Sequence, residues 1–360
     1  MIYFSNPKRS LEKYKKLIEK NIVSVVKSGQ YIKSNELNKF ETSFSKYLNT
    51  KHVVGTGNAT DAIYIALKAL NIGKGDEVIT PSHTATGTGI AILNTGATPV
   101  FADISEKNFN IDPNLVTRKI TKRTKAIIAV HIYGQSCNME YLYDVAKKFG
   151  IPIIEDCSQS SGSVHNKKKL GSIGLFGCFS FFPTKNLSCI GDGGMITTND
   201  SFYYKKINYL REYGWDENRN AQLVGINSRL DEIQAAILNV KLKYLNKDNN
   251  ERRSIANYYN KNINNYKIMK PLEKPNCYHV YHLYVIRCKN RDKLIYELRK
   301  KEIFAGIHYS KAVHQQQLFD GNKNYLPVTD KISKEVLSLP IYPGLRKKSL
   351  KKVIDVINNF

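Results

Sequence analysis

The feature that most constrains this chain is a series of short apolar runs set apart by helix-length segments. HVV (52–54), EVITP (77–81), TPVFAD (98–103), AIIAVH (126–131) and IPIIED (151–156) recur through its first half. Each run is apolar at successive positions instead of alternating, the pattern of strands covered on both faces. Strand–helix alternation on this scale predicts an α/β domain with a largely parallel sheet. The segment SRLDEIQAAILNVKLKYL (228–245) predicts an amphipathic helix, with Leu230, Ile233, Ile237, Val240 and Tyr244 on one stripe. It carries the chain out of a large domain spanning 1–245. The remainder, 246–360, mixes helix-like ERRSIANYYNKNI, strand-like HVYHLYVIRC and helix-like RDKLIYELRKK, and reads as a smaller α+β domain.

With 360 residues, 42% of them hydrophobic and 11% aromatic, the chain has enough apolar side chain to bury a core. No run approaches the roughly 18 apolar residues of a membrane span. The N-terminus lacks the apolar segment of a secretory signal, so a cytoplasmic address is expected. Six cysteines without a CxxC pair or metal-ligand spacing predict reduced, mainly buried thiols and no metal site. The formal charge of +24 is compatible with a polyanion partner. Its basic residues are scattered, however, and match no nucleic-acid motif. A basic DNA-binding regulator is therefore the weaker reading, and an anionic small substrate suits the same charge.

Three elements carry chemistry. GTGNATDAIYIAL (55–67) sets a small-residue turn before a helix. Thr60 or a neighbour would cap that helix, whose free amides and positive dipole end suit a phosphate. A plain tight turn, or a dinucleotide site lacking the third glycine of GxGxxG, would fit the same letters. Asp156 ends the run IPIIED, where ligands bind in open α/β sheets. A carboxylate there is either a helix cap or the partner of a cation, such as a protonated pyridine nitrogen, with Gln159 beside it. Lys185 lies in SFFPTKNLSCIGDGG (180–194), between an aromatic run and a glycine cluster. Desolvation beside aromatic rings would lower its pKa and favour the nucleophilic amine that Schiff-base chemistry uses. Ser180 could add a hydrogen bond to a phosphate. A phosphate-binding helix start, an acid at a strand end and an enclosed lysine, in that order, are the parts of a pyridoxal 5′-phosphate site.

These segments resemble the DegT/DnrJ/EryC1/StrS family of sugar-nucleotide aminotransferases. VHIYGQ, IEDCSQSSGS, FSFFPTKNLSCIGDGG, GINSRLDEIQAAIL, GIHYSKAVHQQQ and LSLPIYPGL follow the first cofactor segment in the family's order. The resemblance implies the fold type I of pyridoxal-phosphate-dependent transferases, with a mostly parallel large domain and a smaller C-terminal α+β domain. It implies that Lys185 links to the cofactor and later shuttles the proton. Asp156 would pair with the pyridine nitrogen and Gln159 with the ring hydroxyl. Thr60, the backbone around Ala59, and Ser180 would hold the phosphate, and Asn227 would reach it from the other subunit of a homodimer. His308 and Tyr309 sit where the family contacts the sugar nucleotide or amino donor. Arg229 would bind an anion or serve structurally.

There are departures from the family pattern. Ala59 replaces a common glycine, Ser188-Cys189 replace a smaller pair, and Ala85 stands where many relatives have an aromatic, leaving His83 to stack on the ring. The implied reaction passes an amine from L-glutamate to a nucleotide-linked keto-6-deoxyhexose. PSHTA and GINSRLDEIQAAIL most resemble the branch of the family that acts on dTDP-linked 3-keto-6-deoxyhexoses, which implies a 3-keto substrate over a 4-keto one.

Overall fold

The computed structural model describes residues 1–319 and 325–360. A seven-stranded sheet is built from β1 (His52–Thr56), β2 (Glu77–Pro81), β3 (Thr98–Ala102), β4 (Thr124–Val130), β5 (Ile153–Asp156), β6 (Phe176–Ser180) and β7 (Gly194–Thr198). Their spatial order is β1-β7-β6-β5-β4-β2-β3. From β6 across to β3 the pairings are parallel, while β7 runs antiparallel to both β6 and β1. The five apolar runs thus become β1 to β5. The antiparallel β7 was not anticipated.

The interior strand β4 shows why its run is continuously apolar. Ile128 and Val130 join a core with Ala62 and Ala66 of helix Ala59–Ala69, while Ile127 and Ala129 join another with Leu142 and Ala146 of helix Met139–Phe149. Successive side chains of a strand point to opposite faces, so a strand covered on both sides must be apolar at every position.

A second core gathers Tyr259 of helix Leu245–Asn262, Leu294 and Leu298 of Arg291–Lys300, and Val353 and Ile357 of Lys347–Asn358. These pack on the antiparallel pair Tyr284–Arg287 and Val336–Leu339. Strand Ile2–Tyr3 pairs with Ile303–Phe304, so the start of the chain packs with this second core instead of the first.

The expected helix over 228–245 begins only at Glu232 and ends at Leu242, with Asp231 at its N-cap. Ser228 is held elsewhere: its hydroxyl donates to Asp61 Oδ2 at 2.7 Å and accepts the Gly57 amide at 2.9 Å. All six cysteines are free, and only Cys277 is not fully buried. No helix among the described residues is long and apolar enough to cross a membrane.

Candidate active site

The carboxyl ends of β5 and β6 and the start of helix Ala59–Ala69 open onto one cavity of about 550 Å³. Ala59, Thr60, Asp156, Gln159, Ser180 and Lys185 all line it. These residues come from segments up to 126 positions apart in sequence, between Ala59 and Lys185. Strand ends converge in this way because parallel strands present their carboxyl termini along one edge.

The helix start is capped by Asn58, not Thr60. The Asn58 backbone is extended, and its side chain accepts the Asp61 amide at 2.9 Å. Thr60 then occupies the first turn. The amides of Ala59 and Thr60 lie too early in the helix to have intrahelical acceptors. Free amides at the positive end of a helix dipole are suited to an anion.

Asp156 is buried at the tip of β5. Its Oδ2 accepts the Thr88 hydroxyl at 3.0 Å, and its Oδ1 accepts the Ser158 amide at 3.0 Å. Gln159 donates to the Tyr309 hydroxyl at 3.1 Å and accepts the Tyr133 amide at 2.7 Å. Tyr309 thereby joins the site through Gln159, and burial, aided by the Asp156 charge, pushes its phenol up to about 12.

Among the described residues, no hydrogen-bond or ion-pair partner engages Lys185 Nζ. Desolvation lowers its amine to about 8, and the Asp156 charge opposes part of that shift. By the Henderson relation roughly a tenth of such an amine is neutral at pH 7, against fewer than one in a thousand for an ordinary lysine. Desolvation also lowers the His308 imidazole to about 4, with the Lys185 charge adding to it. His308 Nδ1 lies 2.9 Å from Ser338 Oγ.

Of the expected residues, His308 and Tyr309 do not themselves line this wall, and His83, Arg229 and Asn227 lie away from it as well. His83, expected to stack on a ring, is not among the lining residues: Thr84 and Ala85 are. Its ring is fully buried edge-to-face against Tyr133, whose oxygen it meets through Nε2 at 2.6 Å. Tyr133 in turn donates to the carbonyl of His308. The imidazole is therefore committed to a buried polar chain and does not offer a face to the cavity. Arg229 is paired with Glu212 at 3.0 Å and lies over the Tyr213 ring, so it faces no anion in this cavity. Asn227 is exposed and forms a bridge with Glu212.

Some contributors escaped the sequence reading. Asn58, Thr84, Thr88 and Ser158 have only generic letters, although Asn at a turn before a helix is a recognisable cap signal. Next to Asp156, Glu155 accepts the amides of Gly171, Ile173 and Gly174 and faces His131 Nε2 at 3.0 Å. The potential ligand atoms of His131, Glu155 and Cys157 lie within 4.8 Å of one another, a grouping the cysteine spacing did not suggest. His131 Nδ1 accepts the Cys137 amide, so its Nε2 carries the proton toward Glu155. Both carboxylate oxygens are thus taken by protein donors, and the cluster braces the 171–174 turn behind the site. A different cleft of about 590 Å³ near the C-terminus is also lined by cationic groups, of which Arg287 is paired with Glu106 and Glu335 and Lys331 with Glu106.

A desolvated amine, a buried carboxylate and a helix start with free amides share one cavity, an arrangement suited to carbonyl–amine chemistry. The chain belongs to the DegT/DnrJ/EryC1/StrS aminotransferase family, whose match spans residues 12–358. It is 42% identical to the dTDP-3-amino-3,6-dideoxy-alpha-D-galactopyranose transaminase of Aneurinibacillus thermoaerophilus, covering 100% of this chain and 99% of that one. It is 39% identical to a pleiotropic regulatory protein of Geobacillus stearothermophilus, over 97% and 95% of the two chains. Among solved structures, S. venezuelae DesV in complex with a ketimine intermediate superimposes with a TM-score of 0.97 at 36% identity, over 99% and 98%. The fold is that of these aminotransferases, and the enzyme is a transaminase.

Proposed function

We propose that the enzyme uses pyridoxal 5′-phosphate to aminate a nucleotide-linked keto-sugar, with a dTDP-linked 3-keto-6-deoxyhexose as acceptor and L-glutamate as donor. The observation that carries this reading is that Lys185 and Asp156 line the same cavity as the Ala59–Thr60 helix start. The donor set fits the cofactor at each end. The Ala59 and Thr60 amides and the Ser180 hydroxyl would hold the phosphate. Asp156 would hold the pyridine nitrogen, and Gln159 the ring hydroxyl. Bound there, the cofactor would supply the electron sink for breaking the donor's Cα–H bond. The neutral amine of Lys185 would attach it and, once the donor's own amine has displaced it, would take the proton from one carbon and return it to another.

His308 and Tyr309 would face the sugar nucleotide or the amino donor. The Glu212 ion pair favours a structural role for Arg229. Asn227 would reach the phosphate of a second copy, making a homodimer with shared sites. Exposed Tyr31, Ile32 and Ile190, grouped around the start of helix Glu232–Leu242, support such a contact. We place the division of labour between a cofactor-binding part, 1–245 without the Ile2–Tyr3 strand, and a smaller part, 246–360, to which that strand pairs. The Aneurinibacillus relative supports the dTDP 3-amino assignment. A 4-keto acceptor on the same scaffold is the alternative, and NMR of the aminated product distinguishes the two.

The absorption spectrum of the protein with pyridoxal 5′-phosphate, before and after glutamate and beside Lys185→Ala, tests the reading. A yellow protein-bound band that bleaches with glutamate and is missing in the variant is expected. Identical spectra for the two proteins, without a bound chromophore, would sink the reading and leave a regulatory role to be tested by salt-dependent DNA binding.

A further inference from the structure

Thr88 is almost fully buried, on the third residue of helix Thr86–Asn94. Its hydroxyl donates to Asp156 Oδ2 at 3.0 Å. A hydroxyl has one proton, so its 3.1 Å contact with Thr84 must run the other way, from the Thr84 hydroxyl to Thr88 Oγ1. The result is a one-directional chain, Thr84 to Thr88 to Asp156, in which each bond polarises the next. The Ser158 amide takes the other carboxylate oxygen. One donor on each oxygen fixes the plane of the carboxylate, which free rotation about the Cβ–Cγ bond would otherwise leave open.

The helix start that carries Thr88 is itself wedged in place. A Cβ on the preceding Gly87 would lie 2.7 Å from Thr60 Oγ1, so this turn packs directly on the phosphate-cradle helix. Thr88 is β-branched and has few rotamers available, and this packing selects one of them.

We propose that Thr88, backed by Thr84, is the positioning residue that aims the Asp156 carboxylate at the cofactor's ring nitrogen. The proposal rests on the cofactor reading above. It makes the strength of cofactor binding depend on a hydroxyl that does not itself need to touch the ring.

The test is titration of the cofactor-free chain with pyridoxal 5′-phosphate, followed by fluorescence. It compares wild type, Thr88→Val, Thr88→Ser and Thr84→Val, each also in an Asp156→Asn background. Losing a hydrogen bond to a charged group predicts a dissociation constant about tenfold higher or more for Thr88→Val. Thr88→Ser should restore binding to within about threefold, and Thr84→Val should cause a smaller loss. In the Asp156→Asn background the Thr88→Val effect should largely vanish, because the two residues act through one contact. Equal binding by wild type and Thr88→Val would overturn the inference alone. So would equal losses in Thr88→Val and Thr88→Ser, which would mark a packing defect, or an undiminished loss in the Asp156→Asn background. No binding by wild type would overturn the cofactor reading and this inference with it.

Discussion

A Cβ built on Gly194 would lie 2.4 Å from both the carbonyl carbon and the carbonyl oxygen of Asn58. The first residue of β7 therefore presses on the N-cap that presents the Ala59 and Thr60 amides to the cavity. Backbone cannot move aside as a flexible side chain can. Gly194→Ala should displace the helix start, raise the pyridoxal-phosphate dissociation constant by about tenfold or more, and cost roughly 1–3 kcal/mol of stability. Cofactor titration and denaturant unfolding measure the two effects. Unchanged binding would show that the helix start does not hold the phosphate.

Lys185 gives a pH prediction. Its amine titrates near 8 in the fold, against 10.5 for an ordinary lysine. In the cofactor-free chain its acetylation by acetic anhydride, followed by peptide mass spectrometry, should rise through pH 8 well before that of surface lysines. Between pH 8 and 10.5 the unfolded chain binds more protons than the folded one, so this group makes stability rise with pH across that window. Lys185→Met should remove that increment, leaving the variant relatively more stable below pH 8. A half-point above 10 for Lys185 acetylation would contradict both statements.

Glu155→Gln tests the brace behind the site. The carboxylate is fully buried and accepts three backbone amides besides facing His131. A side-chain amide nitrogen in that place would confront N–H groups with another donor. A loss of about 2–4 kcal/mol is expected in urea unfolding, with weaker cofactor binding through movement of the adjacent Asp156. A loss below about 0.5 kcal/mol would show that the turn holds itself.

Sharing of sites between subunits has its own experiment. Asn227→Ala and Lys185→Ala should each be nearly inactive. Mixed after subunit exchange, they should recover about a quarter of wild-type activity, because one site of each hybrid dimer is intact and about half the dimers are hybrids. Full exchange without recovery would place Asn227 in its own subunit's site or outside both.

The letters of the chain were enough to place five strands of the large sheet and to mark residues that line one cavity. β1 to β5 follow from local patterning, because burial on both faces leaves an unbroken apolar run. Lys185, Asp156, Gln159, Ser180 and the Ala59–Thr60 turn each stand next to such a run, which is why they were visible before any contact was known. Other features depended on partners distant in sequence. HVYHLYVIRC looks like a ten-residue strand, yet only Tyr284–Arg287 pairs as one. The Val280 and Leu283 amides are taken by the carbonyls of Gly134 and Tyr133.

His83 looked like a free ring beside a cofactor segment. Tyr133, 50 residues on, claims its Nε2 and holds it in the core. Thr88 carries no signal in its own neighbourhood and acquires its place only where the helix start meets the tip of β5. Side-chain type and local period are properties of the chain. Which donor meets which acceptor is decided when the sheet closes, since a buried polar group must take the partner that packing brings to it.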